Sequence, residues 1–383
     1  NVDFSYSEEQ QMLRESVGKF IQQQYDFDTR NRIAAGDAGF SAENWKLFAE
    51  LGWLTVPFSE EDGGFGDSAV DLMVMMEEFG KAMLVEPFLP SVVLAGRLLA
   101  ALGSPEQKAE SLPALMAGNL QLALAWAEPG SRYNLANVRL SARVESGNCI
   151  LDGSKLNVLN GPNADKLIVI ARESGAVADR EGISAFLVDR DAAGLDVQAY
   201  ANLDSCRAAR ITLSEVAVAE SARLGAPGGA LAALEKVIDH GTVAVCAQAV
   251  GALDSLLQKT VEYSKTRKQF GTHIGSFQAL QHRMADMFME CQLARSITVM
   301  AAMQLDAGVP AGDKAAAVSA AKSRVGKAIR RVGQEAIQIH GGIGMTDELD
   351  VSHLFRQVTG IELLFGDSDF HTRRFAQLQT ASG

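Results

Sequence analysis

The sequence predicts a multidomain α+β protein: an N-terminal all-α domain over residues 1–118, a middle antiparallel β domain over 119–226, and a C-terminal helical bundle domain over 227–383. Three observations predict it. At 383 residues the chain is long for a single core. Apolar residues recur at helical spacing towards both ends. Between those regions lie short apolar runs separated by turn residues, the pattern of a small antiparallel barrel or sandwich, with no helical patterns between them to suggest parallel crossovers.

In the first segment, Ser7 followed three residues later by Gln10 reads as a capping box opening a helix, and Met12, Leu13, Val17, Phe20 and Ile21 then repeat on one face. Trp45, Phe48, Leu51 and Leu54 form a second, shorter stripe. Residues 68–80 are apolar on most faces, as in a buried helix. The run Glu61-Asp62-Gly63-Gly64 breaks the helices with a glycine-rich loop.

In the middle segment, residues 120–126 alternate, and so do 138–144. A turn at Ser146-Gly147-Asn148 leads into Cys149-Ile150-Leu151, and further strands are expected over 167–170, 183–188 and 209–213. From about Pro227 the pattern returns to helix, with a stretch expected over 242–257. Leu280, Met284, Met287, Phe288 and Cys291 mark one helical face, and the stretch from Asp306 to Pro310 separates two long helices. Four or five such helices with short breaks imply an antiparallel bundle.

The composition is that of a globular protein, 47% hydrophobic and 21% charged. No run approaches the roughly 18 apolar residues of a membrane span. No basic, apolar leader pattern is visible at Asn1, so a cytoplasmic protein is expected. A net charge of −12 argues against a nucleic-acid partner. The four cysteines are scattered without a Cys-x-x-Cys pair and read as free thiols, and His273 and His282 share no metal-like spacing with a carboxylate, so no metal is expected.

Four motifs in order carry a resemblance: Pro57 to Gly64, Ala127-Glu128-Pro129-Gly130, Thr266-Arg267-Lys268-Gln269-Phe270-Gly271, and Gln338 to Gly344. With them the chain resembles the acyl-CoA dehydrogenase family along its whole length. Residues 209–213, 265–271 and 274–278, with Leu364-Phe365-Gly366-Asp367, resemble in particular the small subunits of pimeloyl-CoA dehydrogenases. The family resemblance implies a β-barrel between a helical domain and a four-helix-bundle-type domain. It implies FAD as cofactor, an acyl-CoA thioester as substrate and an electron-transferring flavoprotein as electron acceptor.

The same resemblance assigns residues. Trp126 and Ala127 would edge the flavin ring through their backbone. Arg267 would clamp the pyrophosphate of a neighbouring subunit's FAD, with Phe270 beside its adenine, a task that suits a permanently charged, bidentate guanidinium. Gln338, Gly341 and Gly342 would face the same neighbour's cofactor, and Asp239 would contact the pantetheine arm. These assignments need a homo- or hetero-oligomer, a dimer of dimers.

Departures matter as much. Where the family carries its catalytic glutamate, nine residues after the arginine matched by Arg356, this chain has Phe365, and the alternative base position is Gly241. Asp367, displaced by two residues, is the candidate proton acceptor. The family's Gly-Ser-Asp becomes Arg132-Tyr133-Asn134, and its Trp-Ile-Thr-Asn-Gly becomes Asn157-Val158-Leu159-Asn160-Gly161. Three readings stay open: an FAD-dependent acyl-CoA dehydrogenase, a non-catalytic partner in an α2β2 assembly that completes another chain's flavin site, and a flavin monooxygenase of the same fold.

Overall fold

The structure, a computed structural model, describes residues 5–266, 268, 269, 271–273, 275, 277–341 and 349–381. Contact density divides the chain into two units that cross the expected segments: residues 1–32, 68–84 and 242–383 form one, and 33–67 with 85–241 the other.

The first unit is helical. It holds α1 (Glu8–Gln24), most of α2 (Phe27–Ala35), α4 (Ala69–Ala82), the later part of α7 (Leu231–Thr266), α8 (Gln278–Asp306), α9 (Ala311–His340), α10 (Asp350–Leu363) and α11 (Ser368–Ala381). The capping box at Ser7 and Gln10 forms as its spacing predicts. α4 is buried nearly all round because its faces are taken by α1, α7 and α8. It crosses α7 at a reciprocal pair of glycines: a Cβ on Gly80 would stand 1.9 Å from the Gln248 carbonyl oxygen, and one on Gly251 1.9 Å from that of Glu77. Only hydrogen permits the two backbones to come so close. The start of α4 is finished from far along the chain, since the Asp306 carboxylate accepts Ser68 Oγ at 2.8 Å, Ala69 N at 2.7 Å and Val70 N at 3.2 Å. Beneath the crossing, Arg295 joins Glu77 at 2.7 Å to Asp254, so one guanidinium ties α4, α7 and α8.

The second unit holds α3 (Ala42–Glu50), a π-helical segment Phe88–Gly96, α5 (Arg97–Leu102), α6 (Pro105–Met116), the start of α7, and an eight-stranded sheet. Its strands are β1 (Leu122–Ala125), β2 (Ser141–Glu145), β3 (Asn148–Leu159), β4 (Lys166–Arg172), β5 (Ile183–Asp189), β6 (Leu195–Ala201), β7 (Arg207–Ala219) and β8 (Arg223–Leu224). Seven follow one another in the order β6-β7-β3-β2-β4-β5-β8, while β1 pairs with β4. Most pairings are antiparallel; β1 with β4 and the single bridge of β2 with β4 are parallel. The core lies among inward residues of these strands, including Ala123, Leu151, Val169, Phe186 and Ile211. Arg172, almost fully buried, donates to six backbone carbonyls, among them Val138, Ser174 and Asp179, and so fixes the loop after β4 with no carboxylate partner among the described residues.

Three local expectations change. β1 alternates in sequence yet is buried on both faces: β4 pairs along its edge and the π-helical segment packs against it, with Leu122 N donating to Ser91 Oγ. α7 begins at Leu231 rather than 242 and runs through Gly241. Leu231, Leu234, Val237 and Ile238 continue the buried stripe across the glycine, and that burial outweighs its helix cost of about 1 kcal/mol. On α8, Met287 and Cys291 are buried as expected, whereas Phe288 is 51% exposed.

Candidate active site

The end of β1 gathers the best-defined polar cluster. After four buried residues the chain surfaces at Trp126 and Ala127, both half-buried, before turning at Glu128. Trp126 O accepts Lys155 Nζ at 3.2 Å, Ala127 O accepts Leu156 N at 2.8 Å, and the Glu128 carboxylate accepts Lys155 Nζ at 2.7 Å. Glu128 also accepts Arg139 N at 2.8 Å and Leu140 N at 3.1 Å. No hydrogen bond among the described residues uses the N–H of Ala127. That donor at a half-exposed strand end suits a ligand's carbonyl or ring nitrogen, so the backbone fits the flavin edge expected there. Lys155 is wholly buried; desolvation pulls its ammonium down to about 8 against the opposing pull of Glu128.

The cluster sits at a register shift of β3 between Lys155 and Val158. Asn157 takes the extra position with φ +46°, and its Oδ1 accepts Asn202 Nδ2 at 3.1 Å and the Tyr200 hydroxyl at 3.4 Å. A polar trio thus stands where Asn157 replaces the tryptophan of the family's Trp-Ile-Thr-Asn-Gly. Sequence reasoning passed over Lys155, although the signal was there: it shares the parity of Cys149 and Leu151, and a lysine on the inward face of a strand needs a buried acceptor.

In the helical unit, the segment between α10 and α11 is held from several sides. Phe365 is buried with φ +62°, a left-handed conformation that a non-glycine residue adopts only under constraint. Its carbonyl accepts His371 Nε2 at 2.8 Å. Lys322 Nζ donates to Gly366 O at 2.6 Å and Glu362 O at 3.0 Å. Glu362 Oε1 accepts both the N–H and the hydroxyl of Ser368 at 2.6 Å. Asp367 caps α11, its Oδ1 accepting Phe370 N at 2.8 Å. One carboxylate oxygen is therefore committed to the cap, and Oδ2 is the one available for other chemistry.

At the end of α9, Gln338 Oε1 accepts Arg283 Nη2 at 2.7 Å, and Arg283 Nε pairs with Glu335 at 2.5 Å. Gly341 closes that helix at φ +66° and ψ −147°, a conformation open essentially to glycine alone. His340 lies buried before it, stacked on Tyr263 at 4.4 Å between ring centroids. Asp239 is half-buried inside α7 rather than at a helix start.

The structure thus brings Trp126 and Ala127 together with Lys155 and Glu128. Asp239 shares their unit, while Gln338, Gly341 and Asp367 belong to the other. Arg267, Phe270 and Gly342 lie outside the described residues. Among the described residues the cysteines are free, no helix is long and apolar enough to cross a membrane, and no cluster of three or more metal-type ligands occurs.

Comparison with known proteins identifies the family. Residues 7–119 match the N-terminal domain of acyl-CoA dehydrogenases, 123–216 the middle domain and 228–378 the C-terminal domain. A probable acyl-CoA dehydrogenase of Bacillus subtilis is 31% identical over 373 residues, covering 96% of this chain and 97% of the relative. An L-prolyl-[peptidyl-carrier protein] dehydrogenase of a Serratia strain is 31% identical over 372 residues, covering 93% of each. The solved FAD complex of PigA superposes with a TM-score of 0.91 at 28% identity, covering 100% of both chains. Three domain matches in their family order, joined by full-length relatives, establish that the chain belongs to the acyl-CoA dehydrogenase family.

Proposed function

We propose that this chain is an FAD-dependent dehydrogenase that removes two hydrogens from the acyl chain of a coenzyme A thioester and passes electrons to an electron-transferring flavoprotein. The observation that carries this reading is the run of three domain matches from residue 7 to 378, with Ala127 offering an unengaged backbone donor at the end of β1. FAD, when bound, supplies the hydride acceptor. Trp126 and Ala127 orient its ring edge, and Asp239 contacts the pantetheine arm of the substrate.

Removal of the α-proton needs a carboxylate, and Phe365 cannot supply one. We assign that role to Asp367 through Oδ2, the oxygen its capping bond leaves available. Arg267, Phe270, Gln338, Gly341 and Gly342 serve the cofactor of a neighbouring subunit in a dimer of dimers. The segment from Leu364 to Asp367 supports the narrower likeness to pimeloyl-CoA dehydrogenase small subunits, and with it a dicarboxyl or bulky acyl group.

The test is direct. The purified chain should carry flavin absorbance, and anaerobic addition of a series of acyl-CoAs, dicarboxyl ones included, should bleach it. A colourless chain that gains flavin only beside a second homologous subunit would return the partner-subunit reading. Oxygen uptake with reduced flavin would return the monooxygenase.

A further inference from the structure

We infer that Lys155 is a positioning residue, which fixes the strand end at Trp126 and Ala127 in the orientation the cofactor needs; this rests on the flavin reading above. Three consecutive residues at the end of β1 are tied, between them, to two consecutive residues of β3. Trp126 O and the Glu128 carboxylate take Lys155 Nζ, at 3.2 and 2.7 Å, and Ala127 O takes Leu156 N at 2.8 Å. Lys155 reaches them with its side chain and Leu156 with its backbone N–H, so strand and side chain hold the same three residues from two directions. The register shift after Lys155 accompanies this arrangement, with Asn157 absorbing the extra residue at φ +46°.

The ion pair is a poor choice if stability alone is at stake. Lys155 is 0% and the Glu128 side chain 4% exposed, and a well-packed apolar pair of similar volume often serves a core as well or better. What an apolar pair cannot do is hold a carbonyl. The lysine sets the plane of the peptide that joins Trp126 to Ala127, because its carbonyl oxygen and the Ala127 N–H belong to that one rigid unit. The N–H available to the ring edge is thereby aimed by an ammonium on the opposite side of the same peptide. Glu128 extends the restraint, since it also receives the backbone N–H groups of Arg139 and Leu140. The sequence around residues 126–128 is thus locked before any ligand arrives, the condition for a preorganised contact.

The test compares K155M with R172K in the full chain. Arg172 is a buried cation of the same unit whose six carbonyl partners include none of residues 126–128. FAD is titrated into cofactor-free protein, the flavin spectrum is recorded, and the melting temperature is measured without FAD. K155M should weaken FAD binding roughly ten- to hundredfold and shift the long-wavelength flavin band. R172K should lower the melting temperature while keeping the wild-type Kd and spectrum. Should K155M not fold, the K155M/E128Q pair, which leaves no unpaired carboxylate buried, is measured in its place with the same expectation. A variant that melts lower yet binds FAD with wild-type Kd and spectrum overturns the role of Lys155 and leaves the flavin reading standing. A wild-type chain that takes up no FAD overturns both.

Discussion

His371 donates its Nε2 proton to the carbonyl of Phe365 across 2.8 Å and receives the Ser319 hydroxyl on Nδ1 at 2.9 Å. A carbonyl only accepts, so Nε2 carries a proton; burial disfavours a second proton on Nδ1, which leaves that nitrogen to accept the hydroxyl. Arg374 Nη1 closes the relay on Ser319 Oγ at 3.0 Å. Burial, aided by the charges of Lys322 and Arg374, holds the ring down to about 3 from an ordinary 6.5. Between those values the unfolded chain binds a proton that the folded chain refuses. Stability present above 6.5 is therefore lost as pH falls towards 3, at up to about 1.4 kcal/mol per pH unit from this group. Denaturation curves at pH 7 and pH 5 should show a smaller difference for H371Q than for the wild type; equal differences would exclude the linkage.

The glycine crossing of α4 and α7 predicts a steep cost for one carbon. G251A places a methyl group 1.9 Å from the Glu77 carbonyl oxygen, a backbone atom that cannot swing away. We expect a loss of about 2–4 kcal/mol by urea denaturation. G360A on α10, where a Cβ meets nothing within 4 Å, should instead gain about 0.5–1 kcal/mol. A G251A chain as stable as the wild type would show that the helices part without penalty.

Arg295 joins Glu77, whose side chain is 3% exposed and whose carboxyl burial pushes upward against the pull of that guanidinium. R295M leaves a carboxylate buried without its cation and should cost about 3–5 kcal/mol. Adding E77L to R295M should recover most of the loss, and a double-mutant cycle measures the coupling. Additive single losses would mean that the pair does not act as a unit.

For Asp367 the capping and chemical roles separate in one substitution. D367N keeps an oxygen to accept Phe370 N, so stability should change by less than about 0.5 kcal/mol. FAD content should hold, while flavin bleaching by an acyl-CoA should slow by at least about a hundredfold. Bleaching at the wild-type rate would remove Asp367 from the reaction and point to a base on another chain.

Much of this architecture was legible because periodicity reports burial. The capping box at Ser7, the apolar helix after Ser68 and the break after Asp306 all stand where residue spacing put them. What spacing could not convey was long-range company. β1 alternates, yet it gains a parallel partner along its edge and a π-helical segment packed against it that no local pattern announces. The helical stretch expected from residue 242 begins at Leu231, because the apolar stripe of α7 runs on through Gly241. Phe288 sits at helical spacing among buried neighbours and still faces outward, since a stripe fixes a face only to within one position. At the candidate site the motif residues were visible, but the buried cation beside them was not, because Glu128 and Lys155 are separated by a turn, a strand and a register shift.

The interleaved division of the chain bears on how it is made. Residues 33–67 and 85–241 complete one compact unit, while the other waits for sequence beyond 242. On the ribosome, a nascent polypeptide stopped at residue 241 holds the sheet whole, with α1 and α4 stranded without the partners that bury them. The amides at the start of α4 receive the Asp306 carboxylate only once α8 has been translated. Until then α4, buried nearly all round in the finished fold, stays open to chaperones, and C-terminal truncations anywhere before that aspartate should accumulate as aggregates rather than as shorter soluble forms.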